Sequence, residues 1–407
     1  MQTSGINIAR KNTFPNSMME VATAIPAFVG YTEKAIDGNV SLKNVPYRIT
    51  SLKEFQTYFG GLSNDSEESV EGIESNVRYT LYYHMLLFYA NGGNICYIVS
   101  VGDYSEKLSA NLFIAGIDAL LKVSEPAILV IPEAVNLNSD DCYKVQRAML
   151  KHCGNDTKRR VAILDVYDGD KCCKGKKEVS DIIQRFWAGI GNDYLSYGAA
   201  YYPWGKVGIT ERKTICLPMS AAIAGVYVMT DNSHGVWKAP VNKKIVDVMG
   251  STVCLSCDDW GDIRLPLNGK CINTVCTHGG EDTLVWGACT LDGNSPRFRY
   301  INVRRTIIML EESIKNVAKT YELDPNHIST WKNLRSTICH FLRAIWKKGG
   351  LSGCTPEEAY NVYIGVGETM VPEDIRKGVM NIKVKVAITR PEEFIEIDVQ
   401  QRMQQGE

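Results

Sequence analysis

Residues 105–230 alternate between segments with helical apolar spacing and short apolar runs, and this alternation is the strongest constraint on the fold. A strand, a helix and a further strand in this order favour a parallel sheet, with the helices packed on its faces. The predicted helices are LSANLFIAGIDALLK (108–122), DDCYKVQRAML (140–150), VSDIIQRFWAGI (179–190) and SAAIAGVYVMT (220–230); the predicted strands are AILVIP (127–132), VAILDVY (161–167) and YGAAYY (197–202). We therefore expect an α/β domain in the middle of the chain.

The segments on either side of this region also carry clear signals. VPYRITSLKEFQTYFGG (45–61) predicts a short strand and then a helix, with Ser51 and Glu54 as a capping box and Gly60-Gly61 as the stop. A helix is expected within 77–93 and a buried strand at 95–101. Two amphipathic helices are expected in the last third, with apolar faces made of Val303, Ile307, Leu310, Ile314, Val317 and Tyr321, and of Trp331, Leu334, Ile338, Phe341, Leu342 and Ile345.

Alternating apolar residues mark strands at both ends of the chain. The C-terminal strands carry Ile382, Val384, Val386 and Ile388, then Ile395, Ile397 and Val399; the N-terminal segment 5–9 carries Gly5, Ile6 and Ile8. An unpaired terminal strand can pair with another chain, and repeated head-to-tail pairing builds an open filament. The alternative is a hairpin packed on the chain's own domain, which periodicity alone favours.

Charge and cysteine content limit the possible classes of function. The 407 residues carry a net charge of -1, whereas a nucleic-acid-binding protein usually carries a basic surplus. The first residues lack the apolar region of a secretory signal, and the apolar runs are too short to span a bilayer. The 13 cysteines, an odd number, predict reduced thiols in a cytoplasmic chain.

One cysteine-rich segment could hold zinc. Cys254 and Cys257 form a C-x-x-C pair, and Cys271, Cys276 and His278 follow. Two pairs of thiolates can make a tetrahedral zinc site, but the second pair here has four residues between its cysteines. We favour the alternative that these thiols pack as small apolar side chains, and we expect no metal and no cofactor.

The turn before SAAIAG resembles a position where subtilisin-like α/β hydrolases carry a catalytic serine. Ser220 would need a histidine base and an orienting carboxylate, for which Asp165 at a strand end is the candidate. The order in subtilisin is Asp, His, Ser, yet no histidine lies between Asp165 and Ser220: His84 and His152 precede this stretch and His234 follows it. We expect no enzymatic activity, and keep a subtilisin-like hydrolase or a zinc-binding enzyme as the alternative.

The segment HGVWKAPVN (234–242) raises a similar question of chemistry against structure. Its candidates for chemistry are His234, Trp237 and Lys238, and Gly235 and Pro240 constrain its backbone. We interpret it as a structural connection in which Trp237 packs and Lys238 is either solvated or paired with an opposite charge.

Seven segments, in order from one end of the chain to the other, together resemble the tail sheath proteins of contractile phage tails and related injection systems. They are ATAIPAFVGYTEKA (22–35), YRITSLKEFQTYFGG (47–61), HGVWKAPVN (234–242), LVWGACTL (284–291) with Trp286, YINVRRTIIMLEESI (300–314), AIWKKGGLSGCTPEEAY (344–360) and MNIKVKVAITRPEEFI (380–395). Two departures are visible: the usual P-G-V-Y-x-E start is missing, and Cys289 stands where the family usually has Arg.

The resemblance implies an organisation along the chain. It implies an N-terminal arm and entry to the inner domain (1–35), an N-terminal α/β part (36–104), a subtilisin-like α/β domain (105–233), an α+β inner domain facing a tube (234–380) and a C-terminal β-arm (381–407). The arms would interweave with those of neighbouring subunits, and this raises the filament interpretation above the hairpin.

The resemblance also implies a mechanical function. Subunits would stack as hexameric rings in a metastable helix around an inner tube, between a baseplate and a cap or terminator protein. Contraction would drive the tube through a target membrane, without direct binding to nucleic acid or insertion of the sheath into the membrane. Assembly would take place in the bacterial cytoplasm, as part of a phage tail or phage-tail-like particle. For contact with the tube, the resemblance points to Arg343, Lys347, Lys348, Glu357 and Glu358.

Overall fold

A computed structural model describes residues 20–62, 72–74, 77–171, 176–210, 213–255, 263, 269–278, 282–388 and 395–403. The chain forms two compact units: Ala22–Met309, and Leu310–Glu407 together with Met1–Val21. The domain limits expected from the sequence stay a prediction, because they refer to positions within an assembly.

Helices and strands alternate along the described chain. The helices are α1 (Leu52–Phe59), α2 (Leu81–Ala90), α3 (Ala110–Ala119), α4 (Ser139–Lys151), α5 (Lys176–Gly189), α6 (Ser220–His234), α7 (Ile301–Thr320), α8 (Ile328–Lys347), α9 (Pro356–Ala359) and α10 (Pro372–Arg376). The strands are β1 (Pro26–Tyr31), β2 (Ile36–Asp37), β3 (Val40–Ser41), β4 (Tyr47–Ile49), β5 (Gly72–Glu74), β6 (Cys96–Gly102), β7 (Ile128–Val130), β8 (Val161–Asp165), β9 (Gly198–Tyr202), β10 (Gly205–Thr210), β11 (Lys213–Leu217), β12 (Lys243–Lys244), β13 (Gly250–Ser251), β14 (Asn273–His278), β15 (Asp282–Trp286), β16 (Tyr360–Tyr363), β17 (Val379–Val386) and β18 (Ile395–Arg402).

The larger unit is built on a mixed sheet of nine strands in the order β12-β15-β14-β9-β8-β7-β1-β6-β4. Its six central strands, β6, β1, β7, β8, β9 and β14, run parallel to one another. The parallel arrangement predicted for the middle of the chain is therefore confirmed, and antiparallel strands extend both edges. A smaller sheet with the order β13-β10-β11-β5 and the hairpin β2-β3 complete this unit.

Both faces of the large sheet are covered, which explains why its strands are almost continuously apolar. Alternate residues of one strand point to opposite faces, so neighbouring side chains enter different cores. Val29, Val99 and Leu129 pack in the core that contains α3, α4 and α5, whereas Phe28, Ile98 and Val130 pack in the core that contains α1, α2 and α6.

The smaller unit contains the end of α7, the helices α8, α9 and α10, and the antiparallel sheet β16-β17-β18. The apolar faces predicted for α7 and α8 are confirmed, since every residue named for them is buried. The predicted ends of α1 are also confirmed. The Ser51 hydroxyl accepts a hydrogen bond from Glu54 N at 3.3 Å at the start of the helix, and Gly60, with φ of 87°, follows its last residue. None of the helices in the described part of the chain is both long and apolar enough to cross a bilayer.

Candidate functional site

The turn with the candidate nucleophile joins β11 to the start of α6 and is hydrogen-bonded to Asp165 at the end of β8. The backbone N–H of Ser220 donates to Asp165 Oδ1 at 3.0 Å, and both side chains are buried. Burial is the main cause that raises the pKa of Asp165 to about 7, while hydrogen bonds from Ser220 and Met219 act against it. The carboxylate caps the N-terminus of α6, which satisfies donors that a helix start leaves free. With no exposed surface, Ser220 is closed to a substrate.

The histidines do not complete a catalytic triad with this pair. His152 Nε2 lies 2.7 Å from Arg160 Nη1, and burial lowers the His152 pKa to about 4. His84 is fully buried, which lowers its pKa to about 3, and His234 Nδ1 lies 2.7 Å from Ser233 Oγ. Within the described ranges, no histidine nitrogen is hydrogen-bonded to Ser220 or Asp165.

The cysteine-rich segment is only partly described. Cys254 is exposed, while Cys271 and Cys276 are buried, the latter in β14. Cys257 and the His278 side chain lie outside the described residues. In the part that is described, no three His, Cys, Asp or Glu side chains are placed to hold a metal ion.

The segment 234–242 leaves α6 through a turn whose backbone conformation favours glycine. Gly235 has φ of 92° and its N–H donates to Asp231 O at 2.9 Å, which ends the helix. A Cβ at this position would lie 2.4 Å from the indole of Trp237, so only glycine fits. The carbonyl of Trp237 accepts from Asn302 Nδ2 at 2.9 Å and ties the segment to α7, while Lys238 is exposed and Pro240 buried. Trp286, the last of the residues named for structural roles, ends β15, and its carbonyl accepts from Thr274 Oγ1 at 3.0 Å.

The C-terminal strands pair with each other in the same chain. β17 and β18 are antiparallel, with Ile382 opposite Val399, Val384 opposite Ile397, and Val386 opposite Ile395. Ile382, Val384, Val386, Ile388, Ile397 and Val399 are buried on one face. This is the hairpin arrangement, and in the described chain β18 pairs on only one side. Gly5, Ile6 and Ile8 lie outside the described residues, so the exchange of strands between subunits stays a prediction.

The candidate tube-contacting residues fall on α8 and α9. α8 contains no Asp or Glu, and its exposed side carries Lys332, His340, Arg343 and Lys347. Lys348 Nζ lies 3.3 Å from Glu20 Oε2. Glu358 accepts from Cys354 N at 2.8 Å and so supports the start of α9, where Glu357 is exposed.

A buried glutamate that the sequence did not single out lies close to the end of β7. Glu133 Oε1 accepts from the backbone N–H of Thr80 at 2.7 Å and of Leu81 at 3.1 Å, and Oε2 accepts from Tyr31 N at 2.7 Å. Its side chain is fully buried, and this burial raises its pKa to about 7. No signal in IPEAVN distinguishes this residue from a surface loop glutamate.

A buried ion pair that the sequence also did not single out joins distant parts of the chain. Arg305 and Asp231 form a buried ion pair with an Nη2–Oδ2 distance of 2.6 Å, and Arg305 also donates to the carbonyl of Thr23. The partners are separated by 74 and 282 positions, so local sequence patterns could not bring them together.

Comparison with known proteins places this architecture in a family. Residues 294–402 match the family model of the phage tail sheath C-terminal domain. The tail sheath protein of Enterobacteria phage T4 is 27% identical over 135 residues, which are 33% of this chain and 20% of that protein, so the chain matches a fifth of this relative's length.

Solved structures match over almost the whole chain. The sheath of the anti-feeding prophage, in its contracted helical state, is 29% identical with a TM-score of 0.73, over 97% of this chain and 98% of that one. The contracted sheath of the extracellular contractile injection system PVC is 27% identical with a TM-score of 0.73, over 97% and 96%. A chain in the six-fold symmetrised baseplate of the anti-feeding prophage is 28% identical with a TM-score of 0.72, over 99% and 100%. This protein belongs to the contractile tail sheath proteins of phages and phage-tail-like injection systems, a family of structural and non-enzymatic proteins.

Proposed function

We propose that this chain polymerises as a helical stack of hexameric rings around an inner tube and contracts to drive the tube through a target membrane. The observation that carries the proposal is the similarity, over 97% of the chain, to sheaths in the contracted state. Partners at the ends of the stack would be a baseplate and a cap or terminator protein. The baseplate is supported by the similarity to a chain in the anti-feeding prophage baseplate.

Strand pairing between subunits would hold the stack together. β18 is an edge strand among the described residues and has a buried apolar face, so its free backbone groups can accept a further strand. Residues 5–9 have the alternating pattern of such a strand. A strand donated by one subunit to the next makes a heterologous contact, which repeats as an open helix.

The basic face of α8 is suited to an acidic surface on the tube. Arg343 and Lys347 lie on the same exposed face because they are four residues apart, and neither has an ion-pair partner in the described part of the chain. Unpaired charge of one sign attracts a complementary surface and sets the register of docking. We extend the proposal to Lys348, Glu357 and Glu358 at the end of this face.

The middle of the chain would act as a rigid body. We propose that residues 105–233 form a subtilisin-like α/β domain in which the serine turn has a structural role. The capped and buried Ser220 supports this, as does the central parallel sheet with both faces covered. The free energy for contraction would then be stored in contacts between subunits, since two discrete packings of rigid bodies can differ by a large free energy.

We place assembly in the bacterial cytoplasm and the finished particle in a phage tail or a phage-tail-like injection machine. The proposal is tested by expressing the chain with its tube protein and imaging the product by negative-stain microscopy. We expect striated tubes, whereas only small particles would overturn the proposal.

The tube contact has its own test. Arg343→Glu with Lys347→Glu should prevent sheath assembly on the tube, and so should Lys347→Glu with Lys348→Glu. The matched control is Lys122→Glu, an exposed lysine of the larger unit. Sheathed tubes of full length from the charge-reversed variants would refute the assignment of these residues to the tube contact.

A further inference from the structure

The chain passes between its two compact units at two points. One lies between Val21 and Ala22, and the other between Met309 and Leu310. The second point lies inside α7, so a continuous helix runs through it. The first lies in a segment without regular secondary structure, which leads from the N-terminal residues to β1.

In the larger unit, the carboxylate of Asp231 forms hydrogen bonds near both of these points, to Thr23 and to Arg305 of α7. Asp231 accepts from both terminal nitrogens of Arg305, at 3.0 Å from Nη1 to Oδ1 and 2.6 Å from Nη2 to Oδ2. The Thr23 hydroxyl donates to Asp231 Oδ2 at 2.6 Å, and Arg305 Nη2 donates to the carbonyl of Thr23 at 3.1 Å. Thr23, Asp231 and Arg305 therefore form a closed triangle of hydrogen bonds.

The triangle is shielded from water. The side chains of Arg305 and Asp231 are 4% and 3% exposed, and the guanidinium lies 4.7 Å from the ring centre of Tyr227. Two-point hydrogen bonds between opposite charges are among the strongest polar contacts, and low exposure protects them from competition by water.

In the smaller unit, the N-terminal connection is also bonded to α7. The N–H of Val21 donates to Ser313 Oγ at 3.1 Å, and Ser313 is buried. Each unit thus has its own contacts between the N-terminal segment and α7: Val21 with Ser313 in the smaller unit, and Thr23 with Arg305 in the larger one.

We infer that Asp231 is an anchor that fixes the N-terminal connection to α7, so that tension on the N-terminal segment is carried by Thr23, Asp231 and Arg305 before it reaches β1. This inference rests on the proposed function, in which residues 5–9 are pulled by a neighbouring subunit. Without the anchor, the pull would act directly on β1, a central strand of the large sheet.

The test measures how often the N-terminal connection opens in the purified full-length chain. Thermolysin cleaves before apolar residues such as Val21 and Ile25, and mass spectrometry gives the rates of cleavage before these two residues. Cleavage before residue 23 is not counted, because Thr23→Val creates a new thermolysin site there. Thr23→Val removes the hydroxyl that donates to Asp231 but keeps the ion pair and the shape of the side chain. Thr23→Ser keeps the hydroxyl, and Thr252→Val removes a buried hydroxyl that donates to Gly169 O, away from the connection.

We expect Thr23→Val to be cleaved at least about tenfold faster than the unaltered chain, as fits the loss of a hydrogen bond to a charged group. Thr23→Ser and Thr252→Val should stay within about threefold of the unaltered chain. Equal rates for Thr23→Val and the unaltered chain would overturn the anchor, and so would an equal rise for Thr23→Ser and Thr23→Val.

Microscopy separates this inference from the proposed function. Thr23→Val should assemble into sheaths, because its arm residues are unchanged, but its sheaths should break into short stacks on contraction. If the unaltered chain forms no tubes with its tube protein, the proposed function fails, while the protease comparison still decides the anchor. Intact contracted sheaths of Thr23→Val would refute its role in carrying tension.

Discussion

Replacing Glu133 by Gln tests how a buried carboxylate contributes to the stability of the large sheet. The carboxylate joins the end of β1 to the start of α2 through three backbone N–H groups. Burial raises its pKa from 4.5 to about 7, and the three hydrogen bonds only partly oppose this effect. Gln has nearly the same shape but does not titrate.

The sign of the effect follows from linkage between protonation and folding. Because the folded pKa is higher than the unfolded one, the folded chain binds the proton more readily between pH 4.5 and about 7. The stability that this group contributes is complete below pH 4.5 and is lost as the pH rises through about 7. A shift of this size corresponds to about 3 kcal/mol of free energy of unfolding.

The assay is urea unfolding of both proteins between pH 4.5 and 8.5. We expect the free energy of unfolding of Glu133→Gln, relative to the unaltered chain, to rise by about 3 kcal/mol across this range. A constant offset of about 1–3 kcal/mol against the variant is also expected, since its amide NH₂ would face the N–H of Tyr31. Asp165, whose pKa burial also raises to about 7, is present in both proteins and cancels in the difference.

A matched control is Glu322→Gln, which changes an exposed glutamate of the smaller unit. A difference between Glu133→Gln and the unaltered chain that does not change with pH would refute the reasoning. It would mean that the three N–H groups stabilise the carboxylate as much as burial destabilises it.

Two further substitutions test the buried contacts of the larger unit. Asp231→Asn should lower the free energy of unfolding in urea by about 3–5 kcal/mol, because it leaves the buried charge of Arg305 uncompensated; a loss below about 1 kcal/mol would contradict this. Gly235→Ala should lower it by about 1–3 kcal/mol, since alanine is strained at φ of 92° and its Cβ would meet Trp237. Gly191→Ala is its control: it has φ of 74°, but the nearest atom to a Cβ there is 3.5 Å away, so it should lose less.

Local patterns predicted the elements better than their arrangement. The helical periodicity of 302–323 and of Trp331 to Ile345 located α7, α8 and their buried faces, because a helix buries residues three and four positions apart. The alternation of apolar residues in 381–388 and 393–400 located β17 and β18, because every second residue of a strand lies on the same face of the sheet. These are properties of neighbouring residues and are therefore visible in the sequence.

The order of the strands could not be obtained in this way. β1 lies between β6 and β7 at the centre of the sheet, although about 70 and 100 residues separate it from these partners. The pairing of β14 with β9 is equally distant in sequence. The triangle of Thr23, Asp231 and Arg305 has the same character, since each residue alone has an ordinary place in its element and only tertiary structure joins them.

The buried carboxylates of Asp165 and Glu133 explain how an α/β sheet of the kind that many enzymes use can have a purely structural role. In such sheets, ligands bind beyond the carboxyl ends of the strands, where the N–H groups of helix starts can hold an anion. Here Asp165 ends β8 and Glu133 follows β7, and they accept hydrogen bonds from the N-termini of α6 and α2. The chain's own side chains thus satisfy the donors that a bound anion would otherwise satisfy. The same hydrogen bonds join strands to helices at the core of the larger unit. The helix N-termini that could bind an anion therefore make the domain rigid instead, and a subunit that transmits force requires this rigidity.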